Sequence, residues 1–282
     1  MSRLTALILT HDEEANIGRT LDHLQWVEEI LVIDSGSRDA TLAILAGHPT
    51  VRVLHRPFDS FADQCNFGLS QIHTPWVLSL DADYRIPAPL ATEIRTAIED
   101  PANAAVAGFA IPFRYCIGGQ PLRSGLMPPR VSLYRLGSGR YRNDGHGHRI
   151  VLSGPVKRLR QPIFHDDRKP LQRWLSSQRN YQAIEAAKLR STPSRKLSVA
   201  DRLRKHTPLA PFAALVFCLL WKGGLLDGWR GWAYAQQRMY AELLLNLMLL
   251  EGRDMVIPHD RPAGSLTAGP SSPGSGHGCS GS

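Results

Sequence analysis

Apolar positions in the first half of the chain fall in short unbroken runs, separated by stretches in which they recur at helical spacing. Leu4 to Leu9 is one such run, the pattern of a strand covered on both faces. Asn16 to Leu24 follows, with Ile17, Leu21 and Leu24 on one helical face. Ile30 to Ile33, Val51 to Leu54 and Trp76 to Leu80 predict three more strands, with helices at Ala40 to Leu45 and Phe61 to Leu69 between them. This alternation predicts an α/β fold, a largely parallel sheet flanked by helices on both faces. Sheets of that kind bind ligands beyond the carboxyl ends of their strands. Polar clusters stand at those ends: Thr10 to Glu14, Asp34 to Ser37, and Asp81 to Asp83. Three clusters on one rim define one site.

From about residue 104 to 165 the pattern changes to short strands and turns, with breaks at Gly118-Gly119 and Pro128-Pro129. Leu171 to Leu189 predicts a helix. A basic segment from Lys188 to His206 follows, with Asp201 its single acid. Pro208 to Trp221 is strongly apolar but shorter than the roughly 20 residues a membrane-spanning helix needs. Tyr234 to Glu251 predicts a leucine-rich helix. The expected organisation is a catalytic domain over 1–170, a helical basic and apolar region over 171–261, and a Gly/Ser/Pro-rich disordered tail over 262–282.

Asp81-Ala82-Asp83 carries the sharpest chemistry. Hard divalent cations such as Mg²⁺ or Mn²⁺ prefer carboxylate oxygens and share their shell with substrate phosphates. Two aspartates with one spacer at a strand end direct one carboxylate to the metal and the other to a ribose or a metal-bound water. Such a metal stabilises a departing diphosphate as a Lewis acid. Asp34, at the end of a buried strand, suits a hydrogen bond to a nucleobase N–H or a ribose hydroxyl, and Thr10 and Glu13 lie on the same rim. Asp39 reads as a helix N-cap, and Glu14 as the start of a helix, where its charge favours the dipole. His165 ends a short apolar run and is a candidate to complete the metal shell or touch the diphosphate. In the alternative reading the cluster is a turn, with Asp166 or Asp167 capping the helix near Leu171.

Thr10-His11-Asp12-Glu13-Glu14-Ala15-Asn16-Ile17, Val32 to Thr41 and Leu80-Asp81-Ala82-Asp83 resemble the serial motifs of family-2 inverting glycosyltransferases with the GT-A fold. Those enzymes usually read Asn-Glu-Glu where this chain has Asp12-Glu13-Glu14. Their Gln/Arg-x-Asn stretch is matched by Gln64-Cys65-Asn66, which the resemblance places with the nucleotide-sugar contacts. Phe113-Arg114-Tyr115, Val131 to Arg135, Pro162 to His165 and Gly224 to Gly231 are similar to a narrower group, the bacterial lipopolysaccharide-core β-glucosyltransferases. In the inverting mechanism a base deprotonates the acceptor hydroxyl as it attacks the anomeric carbon. Family members often carry Glu near this point, but the chain reads Asn143-Asp144-Gly145-His146. Asp144 is the first candidate for the base and His146 the second.

Composition narrows the partners. Apolar residues form 43% of the 282-residue chain, enough for a core. Lys and Arg exceed Asp and Glu by 33 to 25, which predicts an anionic partner. No RNA-binding motif is present and the aromatic residues lie beside leucines, so an anionic membrane surface is favoured over nucleic acid. A helical cap with a solvated basic face is the alternative. Four cysteines without a C-x-x-C pair indicate neither a disulfide framework nor a zinc site. Leu4 to Leu9 is too short for a signal-peptide core, so the expected location is the cytoplasmic face of the bacterial inner membrane.

The expected activity is transfer of a sugar from a nucleotide diphosphate sugar to a membrane glycolipid. Rival readings are a polyprenyl-phosphate sugar transferase and a catalytically silent membrane scaffold. A processive synthase is disfavoured because Pro170 stands where its Gln-x-x-Arg-Trp motif needs Gln. A dinucleotide oxidoreductase is disfavoured because no G-x-G-x-x-G follows the first strand.

Overall fold

The computed structural model describes residues 3–144 and 147–251, the side chains at 144 and 148 excepted. The predicted alternation appears in order: β1 (Leu4–Thr10), α1 (Ile17–Asp22), β2 (Glu29–Asp34), α2 (Thr41–Ala46), β3 (Val51–His55), α3 (Phe61–Ser70) and β4 (Trp76–Asp81). β5 (Tyr84–Arg85) and α4 (Ala88–Glu99) follow. The segment of short strands holds β6 (Gly108–Ile111), β7 (Phe113–Ile117), β8 (Gln120–Pro121), β9 (Arg130–Arg135), β10 (Gly139–Asp144), β11 (Gly147–Leu152), β12 (Val156–Arg158) and β13 (Ile163–His165).

The central sheet runs β12-β6-β9-β4-β1-β2-β3. β3, β2, β1 and β4 are mutually parallel, and β9 lies antiparallel to both β4 and β6. The unbroken apolar runs of β1, β2 and β4 are explained by burial on both faces. One face packs Ala6, Ile8, Val32, Leu78 and Leu80 with α1 and α4 residues such as Leu21 and Ile94. The other packs Leu7, Leu31, Ile33 and Val77 against α3. Gly68 of α3 permits close approach to β1, since a Cβ there would lie 2.5 Å from Leu7 Cδ1. A second sheet, β5-β13-β7-β8, brings β13 antiparallel to β5, with His165 opposite Tyr84. That pairing carries His165 to the loop that ends β4.

The C-terminal helices are α5 (Leu171–Ser191), α6 (Val199–His206), α7 (Ala210–Val216) and α8 (Trp229–Glu251), with a π turn over Phe217–Trp221 and a 3₁₀ turn over Gly224–Asp227 after α7. No described helix is long and apolar enough to cross a membrane. Arg204 of α6 holds Glu242 of α8 through two hydrogen bonds of 2.8 Å and lies 3.5 Å from Glu185 of α5, so part of the basic segment is spent inside the bundle. Cys65, Cys116 and Cys218 are free and buried. The expected disordered tail at 262–282 lies outside the described residues.

α8 crosses the 3₁₀ turn through Gly231, where a Cβ would sit 1.9 Å from Gly224 O. Backbone cannot yield as a side-chain tip does, so Gly231→Ala is expected to destabilise the protein by about 3 kcal/mol. Thermal unfolding measures this, and an unchanged midpoint would refute the close crossing.

Candidate active site

The rim at the ends of β1, β2 and β4 gathers the three predicted polar clusters through the parallel register, in which Thr10 stands opposite Asp34 and Leu9 opposite Asp81. Asp34 is completely buried. Its Oδ1 accepts the N–H groups of Gly36 (2.9 Å) and Ser37 (3.0 Å), and its Oδ2 accepts the hydroxyls of Thr10 (2.9 Å) and Ser37 (2.6 Å). Burial alone would raise its pKa, but the bonds from Ser37, Thr10 and Gly36 outweigh that and hold it below the usual carboxylate value. These four donors occupy its acceptor positions. Asp34 and Thr10 therefore shape the loop at the end of the first two strands from within.

Asp12 is the one non-glycine residue with positive φ among the described residues, at 54°. Asn and Asp tolerate this left-handed region best, which accounts for an Asp where related motifs carry Asn. Its Oδ1 accepts Arg38 N–H at 2.8 Å. Glu14 lies before α1, and its carboxylate accepts Ala40 N–H at 2.9 Å. Asp39 bonds Thr41 N–H and Glu14 N–H, clasping the first two loops.

Gln64 and Asn66 also face inward. Gln64 Nε2 donates to Ser35 Oγ (3.0 Å) and Arg56 O (2.9 Å), while its Oε1 accepts from Arg56 (2.7 Å). Asn66 bonds both backbone polar atoms of Tyr141. The first ties the loops after β2 and β3 together, and the second pins β10 to α3. The family resemblance implies nucleotide-sugar contacts for both, and in the structure their amides are engaged by the fold. Asn143 Oδ1 accepts Ala62 N–H at 3.3 Å, so β10 ends beside the start of α3 on the same rim. His146 and the side chain of Asp144 lie outside the described residues.

The Asp81–Asp83 loop is different. Asp81 is exposed. Asp83 is mostly buried and its Oδ2 meets His165 Nε2 at 2.9 Å. Its Oδ1 is buried without a hydrogen-bond partner. Burial would raise the Asp83 pKa, but the adjacent His165 outweighs it and lowers it. Asp83 reciprocally raises His165, against the effect of burial. His165 Nδ1 lies 3.1 Å from Met127 Sδ, so both ring nitrogens have neighbours and the imidazole braces Asp83.

Among the described residues, no three His, Cys, Asp or Glu side chains converge as a complete metal site. The orphan Oδ1 of Asp83 and the exposed carboxylate of Asp81 still fit a hard divalent cation that takes its remaining ligands from phosphate and water.

Residues after His165 complete the wall, where the sequence pattern indicates only a turn or a helix cap at Asp166 and Asp167. Asp166 is 1% exposed and meets Arg168 Nε at 2.9 Å, Arg19 Nη1 at 3.2 Å and Arg85 Nε at 3.3 Å. It is not a helix cap, because α5 starts after Pro170 without a side-chain cap. Asp167 Oδ1 instead accepts from Asn16 and from Lys169 N–H. Lys169 pairs with Glu13, and its charge reaches Asp83. Arg173 lies 3.6 Å from Asp12. Tyr181 of α5 is close enough for Asp81 and Asp83 to add to the effect of burial in raising its phenol pKa. Lys169 and Tyr181, from the loop before α5 and from α5 itself, thus face the two carboxylates, an arrangement suited to a metal-chelated diphosphate.

Burial pushes Glu13 up to about 7 despite Lys169 and Asn16. A carboxyl whose folded pKa is raised binds its proton more tightly folded than unfolded, so its contribution to stability falls as pH rises from about 4.5 through 7. Wild type is therefore expected to gain stability relative to Glu13→Gln on acidification from pH 7.5 to 5.5. Parallel melting curves for the two proteins across that range would contradict this.

This mixed sheet with its rim of carboxylates and cations is that of a GT-A glycosyltransferase, and the chain belongs to glycosyltransferase family 2: the "Glycosyl transferase family 2" model matches residues 5–159. Among particular relatives, the chain is 30% identical over 205 residues to the lipopolysaccharide core biosynthesis glycosyltransferase LpsC of Rhizobium meliloti, covering 66% of this chain and 73% of that protein. An uncharacterized glycosyltransferase of Rickettsia felis is 34% identical over 95 residues, a third of each chain. Among solved structures, Staphylococcus aureus TarS in complex with UDP-GlcNAc aligns with a TM-score of 0.47 at 13% identity, covering 89% of this chain and 91% of that one. Mycobacterium tuberculosis glucosyl-3-phosphoglycerate synthase, solved with Mn²⁺, UDP and phosphoglyceric acid, aligns with a TM-score of 0.43 at 17% identity, covering 66% of this chain and 78% of that one.

Proposed function

We propose that this glycosyltransferase moves one sugar from a nucleoside diphosphate sugar to a membrane glycolipid in assembly of a lipopolysaccharide-core-like structure. The observation that carries the reading is the unpartnered Oδ1 of Asp83 beside exposed Asp81, faced by Lys169 and Tyr181. Asp83 and Asp81 would hold a divalent cation, Mg²⁺ or Mn²⁺, with His165 bracing Asp83, and the bound ion would supply Lewis-acid stabilisation of the leaving diphosphate. Lys169 adds a second positive charge, and the loops built on Thr10, Asp34 and Gln64 form the nucleoside wall. Asp144 is the first candidate to take the acceptor proton and His146 the second. The similarity to LpsC, a lipopolysaccharide core biosynthesis glycosyltransferase, supports the acceptor class.

The helical region supplies the surface on which a lipid acceptor is met. Trp221 (83% exposed), Leu226 (72%) and Trp229 (63%) lie out in solvent with Leu209, Phe212 and Leu220, an apolar area larger than isolated surface residues explain. Exposed Lys222 adjoins Trp221 in the chain, and Arg195, Lys196 and Arg202 are exposed on the preceding basic segment. Apolar side chains with interfacial tryptophans and basic neighbours suit an anionic leaflet, here the cytoplasmic face of the inner membrane.

The test is a screen of UDP-, GDP- and dTDP-sugars for thermal stabilisation that requires Mn²⁺ or Mg²⁺, followed by transfer of radiolabelled sugar to a core glycolipid. Stabilisation without any cation requirement refutes the metal reading, and transfer to polyprenyl phosphate alone refutes the acceptor. Flotation with phosphatidylglycerol vesicles tests the surface, and its loss in a Trp221→Ala/Trp229→Ala double variant is the expected result.

A further inference from the structure

The C-terminal helices reach His165 along two lines of contact. In the first, Asp227 Oδ2 accepts from Arg123 N–H (2.9 Å), Ser124 N–H (3.2 Å) and Ser124 Oγ (3.1 Å). Tyr234 Oη then accepts Leu126 N–H at 3.0 Å, and the next residue, Met127, meets His165 Nδ1. In the second, the Tyr234 ring packs on Tyr115 with centroids 5.0 Å apart, and Tyr115 meets the His165 ring nearly edge-on at 4.9 Å and 78°. Tyr84 approaches the imidazole at 5.4 Å. Tyr115 and Leu126 belong to the small hydrophobic cluster that also holds Leu122, Cys218, Leu219, Tyr234 and Ala235, so this junction is one packed unit.

We propose that Tyr115, backed by Tyr234 of α8, is a positioning residue that fixes the His165 ring and thereby the direction of Asp83, so that the C-terminal helices tune the cation site from outside it. The proposal rests on the reading of Asp83 as a cation ligand. His165 turns about a soft torsion at its ring, and the hydrogen bond to Asp83 alone leaves the plane of the imidazole free to rock. Two aromatic edges and a methionine sulfur on the remaining sides remove that freedom. Asp83 in turn has one oxygen committed to His165 and one left over, so rotation of the ring moves the oxygen the cation needs. Groups that orient a metal ligand typically change metal affinity 10- to 100-fold when removed.

The experiment measures Mn²⁺ affinity by loss of the free-ion electron paramagnetic resonance signal. It is done on full-length protein with whichever nucleoside diphosphate stabilises wild type most. Tyr115→Leu is expected to weaken Mn²⁺ binding 10- to 100-fold and to lower kcat more than it raises the donor KM. Tyr115→Phe, which keeps the ring, is expected to restore both. Tyr234→Phe, which keeps the stack but loses the Leu126 bond, is expected to weaken Mn²⁺ binding severalfold, and it tests the junction should Tyr115→Leu fail to fold. Folded Tyr115→Leu and Tyr234→Phe proteins that bind Mn²⁺ as wild type does overturn the proposal while leaving the cation site standing. Absence of Mn²⁺-dependent nucleotide binding in wild type overturns the cation site itself, and the proposal with it.

Discussion

Asp83→Asn is expected to lower kcat for sugar transfer by about a thousandfold, with little change in the unfolding temperature. The amide preserves the shape of the side chain and one oxygen but removes the negative charge that a hard cation requires. A lost electrostatic contact to developing charge costs about 10²- to 10³-fold in rate, and weakened hold on the cation adds to that. Stability is expected to survive, because the asparagine amide oxygen still accepts a hydrogen bond from the neighbouring imidazole. Asp81→Asn is the control, since Asp81 is exposed and His165 does not hold it. Its effect is expected to be smaller. The assay follows labelled sugar at saturating donor and cation, and a kcat within threefold of wild type would remove Asp83 from the chemistry.

Asp166→Ala is expected to cost about 3–5 kcal/mol of stability, the usual penalty for removing one partner of a buried ion pair. The carboxylate is 1% exposed and is the common anion for Arg19, Arg85 and Arg168. Its removal leaves three guanidiniums close together without a counter-charge. Burial works against the ionised carboxyl, but the three arginines outweigh it and hold its pKa below 3.8. A depressed carboxyl contributes stability that is present above its unfolded pKa and is lost as pH falls through the lower folded value. The difference between wild type and Asp166→Ala in urea unfolding is therefore expected to be full at pH 7 and reduced at pH 3. Activity is expected to fall as well, because Asp166 N–H bonds Asp83 O at 3.0 Å and a displaced loop takes Asp83 with it. Equal urea midpoints at pH 7 would show that the arginines need no such anchor.

The strands and helices of the first half were legible because burial on both faces writes itself as an unbroken apolar run, as in Leu4 to Leu9 and Ile30 to Ile33. Observed boundaries differ from those read in the sequence by a residue or two, as in β2 and α3, because terminal residues are decided by caps and not by periodicity. The position of Asp81 and Asp83 was legible for the same reason: the run of β4 ends there. What could not be read was which polar atoms remain free. Asp34 looked like a ligand because it ends a buried strand, yet Thr10, Gly36 and Ser37 use its oxygens. Gln64 and Asn66 matched a family motif, yet both amides serve the fold. His165 reads as a candidate metal ligand, and only the fold brings its Nε2 within 2.9 Å of Asp83 Oδ2.

By itself the sequence determined the α/β alternation, the rim on which ligands are met and the pair of aspartates at the end of β4, all of which depend on neighbours close along the chain. The tertiary structure decided the chemistry of that rim. The partner of Asp83 is 82 residues away, the lysine of Glu13 is 156 away, and the guanidinium of Arg19 meets Asp166 across 147 residues. A carboxylate's availability depends on the donors within about 3 Å of its oxygens, and spacing along a chain carries no information about those until the sheet has folded.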